Sequence, residues 1–229
     1  LLRPTEPAVL PGHVNGLPKT LADRTRRVYD RLAFVYPLST LLFHSRAHRC
    51  ALKAAGVRDG MRVLEVATGS GEMFRRLVRV NRSGHTVGFD LSPNMAVRTQ
   101  DRVRREFPDS QTLCQAVDAR YMPFRDETFD IVVCCYLLEL LAGDDILMAL
   151  GEMRRVLCRR GRLALVCIGE NTEVFNRIYK FVGGIAPAFW GRQVEHHAPS
   201  LLEASSFEIL DDLAVKQTGY PSRVLVARR

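Results

Sequence analysis

Val63-Leu64-Glu65-Val66-Ala67-Thr68-Gly69-Ser70-Gly71-Glu72 joins a short apolar run to a run of small residues and then to an amphipathic stretch. Small side chains at 67, 69 and 71 let a ligand approach the backbone, and a helix starting near Glu72 offers it free N–H groups. The pattern predicts a strand, a tight turn and a helix that together receive a nucleotide-like molecule. A dinucleotide fingerprint would need a third small residue at position 74, which is Phe. Phe74 is expected to crowd helix against strand, so the alternation Glu65, Ala67, Gly69, Gly71 suits an adenosine cofactor other than NAD.

Beyond this turn the chain alternates short apolar runs with helical ones, the signature of a parallel sheet with crossover helices. Strands are predicted over 62–67, 86–90, 112–117, 129–135 and 162–168, and helices over 72–80, 93–107 and 144–159. Ser92 and Asp144 are the expected caps of the second and third helices, with Pro93 at the first helical position. Strands over 207–217 and 222–229 close the chain. The second strand ends in Asp90 and the third in Asp118, so with Glu65 three acids fall at three strand ends. A strand-end acid can accept hydrogen bonds from ribose hydroxyls, and a second can accept one from an adenine amino group.

The 229 residues suffice for one α/β unit with an N-terminal addition. Residues 1–19, rich in Pro and Gly, read as a flexible arm, and 20–229 as a single domain. Within it, 20–59 form N-terminal cap helices, 60–170 the cofactor-binding core, 171–206 a substrate-side insert and 207–229 the terminal strands. Hydrophobic residues make up 47% and charged residues 25%, which excludes disorder as the main state. The longest apolar run, 131–142, is interrupted by Glu139 and falls short of the ~20 residues that span a bilayer. Cysteines 50, 114, 134, 135, 158 and 167 show no C-x-x-C spacing, so neither a disulfide framework nor a metal site is expected, and a cytoplasmic setting fits best. No signal peptide is visible in the sequence, which starts at Leu1. The net charge of +8 admits an anionic partner or simply an arginine-rich surface.

Segments 63–71, 88–90, 118–130 and 156–168 resemble the class I S-adenosylmethionine-dependent methyltransferases. The third of these contains Tyr121-Met122-Pro123-Phe124 and Thr128-Phe129-Asp130. Ala67 at the first glycine position, and Arg27-Val28-Tyr29-Asp30-Arg31-Leu32-Ala33 followed by Tyr36, look most like the quinone-biosynthesis C-methyltransferases and their small-molecule relatives. The resemblance implies a Rossmann-like, seven-stranded, mostly parallel sheet with helices on both faces and an antiparallel last strand, and S-adenosylmethionine as cofactor. It implies that Glu65 and the turn of Ala67, Thr68, Gly69 and Gly71 face the methionine part, and that Asp90 faces the ribose. Leu91 and Met95 would meet the adenine face, Asp118 and the Ala119 backbone its edge, and Thr68 and Cys134 would line the same pocket. The chain departs from the family at Tyr36-Pro37, at Glu139 where relatives often have histidine, and at Arg160-Gly161 in place of Pro-Gly.

The implied activity is methyl transfer to a small acceptor: a quinol, phenol, amine or lipid-like molecule. Such transfer needs alignment and, for some acceptors, a base. His196 and His197 are candidate bases, Tyr36 is a further candidate at the reaction centre, and Tyr29, Tyr136, Glu139 and Trp190 are candidate acceptor contacts. Nucleic acid is disfavoured as acceptor because Cys134-Cys135-Tyr136-Leu137 lacks the Pro-Pro-aromatic motif of amino-methylating DNA enzymes. RNA or protein acceptors, a non-catalytic cofactor-fold protein and a nicotinamide oxidoreductase are the alternatives. Arg24, Arg26, Arg27 and Arg31 beside Leu32, Val35 and Leu42 could rest on a membrane surface, a peripheral contact that core packing explains equally well. Nothing in the sequence assigns an oligomeric state.

Overall fold

The protein is described by a computed structural model over residues 45–169, 194, 196–217 and 221–229. The arm 1–19, the cap residues 20–44, most of the expected insert, and Tyr29, Tyr36 and Trp190 lie outside the described residues. In chain order the helices are α1 (Ser45–Ala55), α2 (Glu72–Val80), α3 (Pro93–Glu106), α4 (Gly143–Val156) and α5 (Ala198–Ala204). The strands are β1 (Arg62–Val66), β2 (His85–Asp90), β3 (Gln111–Ala116), β4 (Phe129–Cys135), β5 (Leu157–Ile168), β6 (Glu208–Val215) and β7 (Ser222–Arg228). They form one seven-stranded sheet in the order β3-β2-β1-β4-β5-β7-β6, with β7 antiparallel to both its neighbours.

Strands β1, β4 and β5 are apolar on both sides because helices cover both faces. On one face Val63, Ile131, Val133, Ala164 and Val166 pack with α1 and the start of α2, through Ala47, Ala51, Met73 and Leu77. On the other, Leu64, Val66, Val132, Leu163 and Leu165 pack with α4 and α5, through Ala149, Leu150, Met153 and Leu202. The start of the first strand is fixed by Arg62, whose backbone N–H donates to Asp130 Oδ2 at 2.9 Å and whose guanidinium pairs with the same carboxylate at 2.8 Å.

Ser92 caps α3 as expected, its hydroxyl accepting from Met95 N at 3.3 Å, with Pro93 at the first position. Asp144 is not the cap of α4. That helix starts at Gly143 after Ala142, with no side-chain cap bond, and Asp144 and Asp145 sit in its first turn, where their charge favours the helix dipole. The helical pattern expected to 159 ends at Val156, because Leu157 pairs with Phe129 and carries residues 157–160 into β5. Sheet pairing overrides the local pattern there, and Arg160, at φ 62°, marks the irregularity.

Phe74 does not crowd α2 against the sheet. It is fully buried, and Gly88 on β2 leaves the space its ring fills. A Cβ on Gly88 would stand 2.7 Å from Phe74 Cε2 and 2.7 Å from Thr68 Cγ2. Gly88→Ala is therefore expected to lower the unfolding free energy by about 1–3 kcal/mol, read from urea denaturation. In a double-mutant cycle with Phe74→Leu the two changes should cost less together than the sum of their separate effects; strict additivity would refute this packing account.

Candidate cofactor and active site

Strand β1 lies between β2 and β4, and the chain crosses from β1 to β2 on one side and returns from β3 to β4 on the other. The carboxyl ends of such strands form a crevice where α/β proteins bind ligands. The turn leaving β1 is left-handed at Ala67 (φ 60°), Gly69 (φ 48°) and Gly71 (φ 74°). Glycine takes this conformation freely, whereas Ala67 carries a strain of about 1–2 kcal/mol. The turn is held by Thr68 N donating to Phe89 O at 2.9 Å and Gly71 N to Thr68 O at 2.8 Å. A Cβ on Gly71 would come within 2.6 Å of Thr99 Oγ1, so α2 and α3 close together at this point only because residue 71 has no side chain.

Asp90 binds this turn to the next one. Its Oδ2 accepts from Gly69 N at 2.8 Å and its Oδ1 from Ser92 N at 2.9 Å. An ionised carboxylate only accepts hydrogen bonds, which is what a ribose diol requires of its partner.

Glu65 stands on β1 in register with Gly88 and Val133, on the face that carries Val63. It is 1% exposed, and among the described residues nothing hydrogen-bonds its Oε2. Burial, then the neighbouring charges of Asp90 and Glu72, push its carboxyl well above the usual glutamate range. Glu72, buried at the start of α2, is by contrast paired with Arg75, Arg76 and Arg102 at 3.0, 3.1 and 3.1 Å. The i,i+3 and i,i+4 spacing of Glu72 with Arg75 and Arg76 carried that signal in the sequence; Arg102 on α3 carried none.

Asp118 is half-buried, and burial alone would raise its carboxyl. The hydrogen bonds from the Arg120 guanidinium and backbone outweigh this and hold it below the ordinary range. Arg120 in turn pairs with Asp145 at 2.9 Å, tying the loop after β3 to α4. Met95 is buried at the start of α3, Leu91 is half-buried just before it, and Ala119 is buried beside Asp118. Thr68 Oγ1 lies 3.6 Å from Cys114 Sγ. Cys134 does not line an open pocket: it is fully enclosed with Leu64, Val66 and Leu165, and burial pushes its thiol far up. A separate cavity of about 360 Å³, lined by His85, Val87, Gln111, Leu113, Phe124 and Phe129 among others, lies towards the opposite ends of β2 and β3, away from these strand tips.

The expected acceptor residues divide. Tyr136, left-handed at φ 57°, turns its hydroxyl to Ser222 Oγ at 2.7 Å, and Gln217 Nε2 donates to the same oxygen. That network joins β4 to the start of β7, and the tyrosine is spent on it. Glu139 is buried, with Oε1 accepting from Ile168 N at 2.7 Å, so it braces the end of β5. His196 and His197 are exposed at the start of α5, which packs against β6. Four strand spacings, roughly 19 Å, separate β6 from β1. On the sheet the histidine pair thus lies nearer the β6 edge than β1.

A methyltransferase-domain family matches residues 63–161. The chain is 30% identical over 185 residues to the ubiquinone/menaquinone biosynthesis C-methyltransferase of Laribacter hongkongensis, covering 78% of this chain and 74% of that one. It is 29% identical over 185 residues to the enzyme of the same name from Cellvibrio japonicus, with the same coverage. Magnesium protoporphyrin IX methyltransferase from Synechocystis PCC 6803, solved with bound SAH, shares the fold at TM-score 0.63 and 19% identity, over 94% of this chain and 90% of that one. The chain belongs to the class I S-adenosylmethionine-dependent methyltransferases and is similar within them to the ubiquinone/menaquinone biosynthesis C-methyltransferases. Its cofactor is S-adenosylmethionine, and the residues at the strand tips fit that molecule: a buried carboxyl with no donor on Oε2 among the described residues for an ammonium, an acceptor carboxylate at Asp90 for a diol, and a turn of small residues that lets a ligand reach the backbone.

A carboxyl raised by folding binds its proton more tightly in the folded than in the unfolded chain, so stability falls as pH rises from about 4.3 through the folded value. Glu65→Gln removes that penalty. Thermal melts should show the variant above wild type at neutral pH, with the gap closing as pH approaches about 4.3; a gap of constant size at every pH would refute the assignment.

Proposed function

We propose that this enzyme methylates a small lipophilic acceptor of the quinol or phenol type, with Glu65 and the Ala67–Thr68–Gly69–Gly71 turn receiving the methionine end of the cofactor. Asp90 takes the ribose diol, Leu91 and Met95 flank the adenine, and Asp118 with the Ala119 backbone meets its edge. The observation that carries the cofactor half is the Asp90 carboxylate, fixed by two backbone N–H groups at the crevice. The acceptor half is supported by 30% identity to a quinone-biosynthesis C-methyltransferase across three quarters of its length.

Bound S-adenosylmethionine supplies a methyl group already activated on a sulfonium. The chain's part is to hold the acceptor in line with it and to keep water out. Carboxylates at the crevice favour a cationic ligand over a neutral product. With His196 and His197 towards the β6 edge and Tyr136 and Glu139 engaged in the scaffold, no dedicated base from the described residues enters this reading. Acceptor contacts are assigned to the segments 20–44 and 171–206, with Tyr29, Tyr36 and Trp190 as the candidate aromatic contacts.

No described helix is long and apolar enough to cross a membrane, and an apolar acceptor would be met at a membrane surface or carried in solution. Calorimetric titration with S-adenosylmethionine, S-adenosylhomocysteine and NADH, followed by a screen of quinols, phenols and amino lipids, tests the reading. Binding of the two adenosyl ligands, none of NADH, and turnover on a quinol or phenol are expected. Turnover on amines alone would overturn the acceptor class. Asp90→Ala should weaken S-adenosylmethionine binding more than about tenfold, as the loss of charge-assisted bonds worth about 1.5–3 kcal/mol would give; unchanged affinity would remove Asp90 from the site.

A further inference from the structure

Four acids stand around the crevice, and three have their charge accounted for. Asp90 accepts two backbone N–H groups, Glu72 is surrounded by Arg75, Arg76 and Arg102, and Asp118 is gripped by Arg120. Glu65 is the exception. It is more deeply buried than Asp90 or Asp118, its Oε2 has no hydrogen-bond donor among the described residues, and the charges that face it are those of Asp90 from β2 and Glu72 from α2. Among the described residues the thiols of Cys114 on β3 and of Cys134 and Cys135 on β4 also face it, with the buried Glu139 beside the last two. Burial holds all three thiols protonated and neutral through the physiological range, so they supply no positive charge.

A buried carboxyl between two anions keeps its proton until a cation arrives. We propose that the empty enzyme holds Glu65 as the neutral acid, and that arrival of the cofactor's ammonium group expels that proton to solvent and leaves a carboxylate–ammonium pair. Occupancy of the site is then linked to pH through one identified residue. This rests on the placement of Glu65 at the methionine end of the cofactor. The sign follows: binding tightens as pH rises through the range in which the empty site would otherwise be protonated, and one proton leaves per cofactor bound. Neighbouring Asp90, Glu72 and Asp118, unlike Glu65, each have backbone or guanidinium donors on their carboxylates. A ligand that shares the adenosine but lacks the amino-acid end draws no proton.

Calorimetric titration of the full chain at about pH 6 isolates the effect, because a free α-amino group titrates near 7.7–8.0 and the ligand's own ammonium is constant there. Titrations with S-adenosylhomocysteine and with 5′-methylthioadenosine are run in MES and in imidazole, whose ionisation heats differ. Wild type should show a buffer-dependent heat equal to release of about one proton with S-adenosylhomocysteine and none with 5′-methylthioadenosine. Glu65→Gln should bind S-adenosylhomocysteine at least about tenfold more weakly and release none, while its affinity for 5′-methylthioadenosine is unchanged. Tight binding of S-adenosylhomocysteine to wild type with no dependence on buffer overturns the proposal without any variant. Wild-type affinity of Glu65→Gln for S-adenosylhomocysteine instead removes Glu65 from the methionine end, and the proposal falls with that placement.

Discussion

The Asp90 carboxylate is the constraint on which the rest of the crevice depends. One of its oxygens takes the N–H of Gly69 in the turn after β1, and the other takes the N–H of Ser92 in the turn after β2. Two crossover connections are thereby locked to one side chain. The lock offsets a cost, since Ala67, Gly69 and Gly71 all hold left-handed backbone and Ala67 does so with a Cβ in the way. Charge-assisted bonds to backbone N–H groups are strong enough to hold such a turn open for a ligand.

The acids of the crevice show how one residue type acquires different states from its surroundings. Backbone donors stabilise Asp90, a guanidinium stabilises Asp118, and three arginines stabilise Glu72, whereas Glu65 is buried with no donor on Oε2 among the described residues. A carboxyl left in that condition is a cost to the unliganded fold and becomes an asset once a cation sits beside it. Stability and ligand affinity are thus opposed at one side chain, as is common where a site is built for a charged partner.

Much of the molecule was legible from local pattern. The bounds of α2 and β4, the cap and first-position proline of α3, and the three acids at strand ends were all readable, because each is a short-range feature of composition and spacing. The fold class followed from the alternation of apolar runs, and the family from the small-residue turn with its acids. The misreadings had a common form. Phe74 looked too large until Gly88 from a neighbouring strand was placed beneath it. Tyr136 and Glu139 looked available to a substrate until Ser222 and Ile168 were found holding them.

Residues close in sequence settle turns, caps and helix phase, and there the order of amino acids was sufficient. Strand order and register settle everything that joins distant residues. Arg120 finds Asp145 through the packing of a loop on α4, residues 157–160 leave a helix because Phe129 offers them a strand to pair with, and the histidines fall at the β6 edge of the sheet because α5 packs there. No local pattern encodes those meetings, since the free energy that selects them comes from burying whole faces against one another. Glu65, Asp90 and Asp118 could be named from the chain alone, but which of the crevice acids stands without a counter-charge among the described residues is a property of the folded interior, where a missing partner cannot be replaced by water.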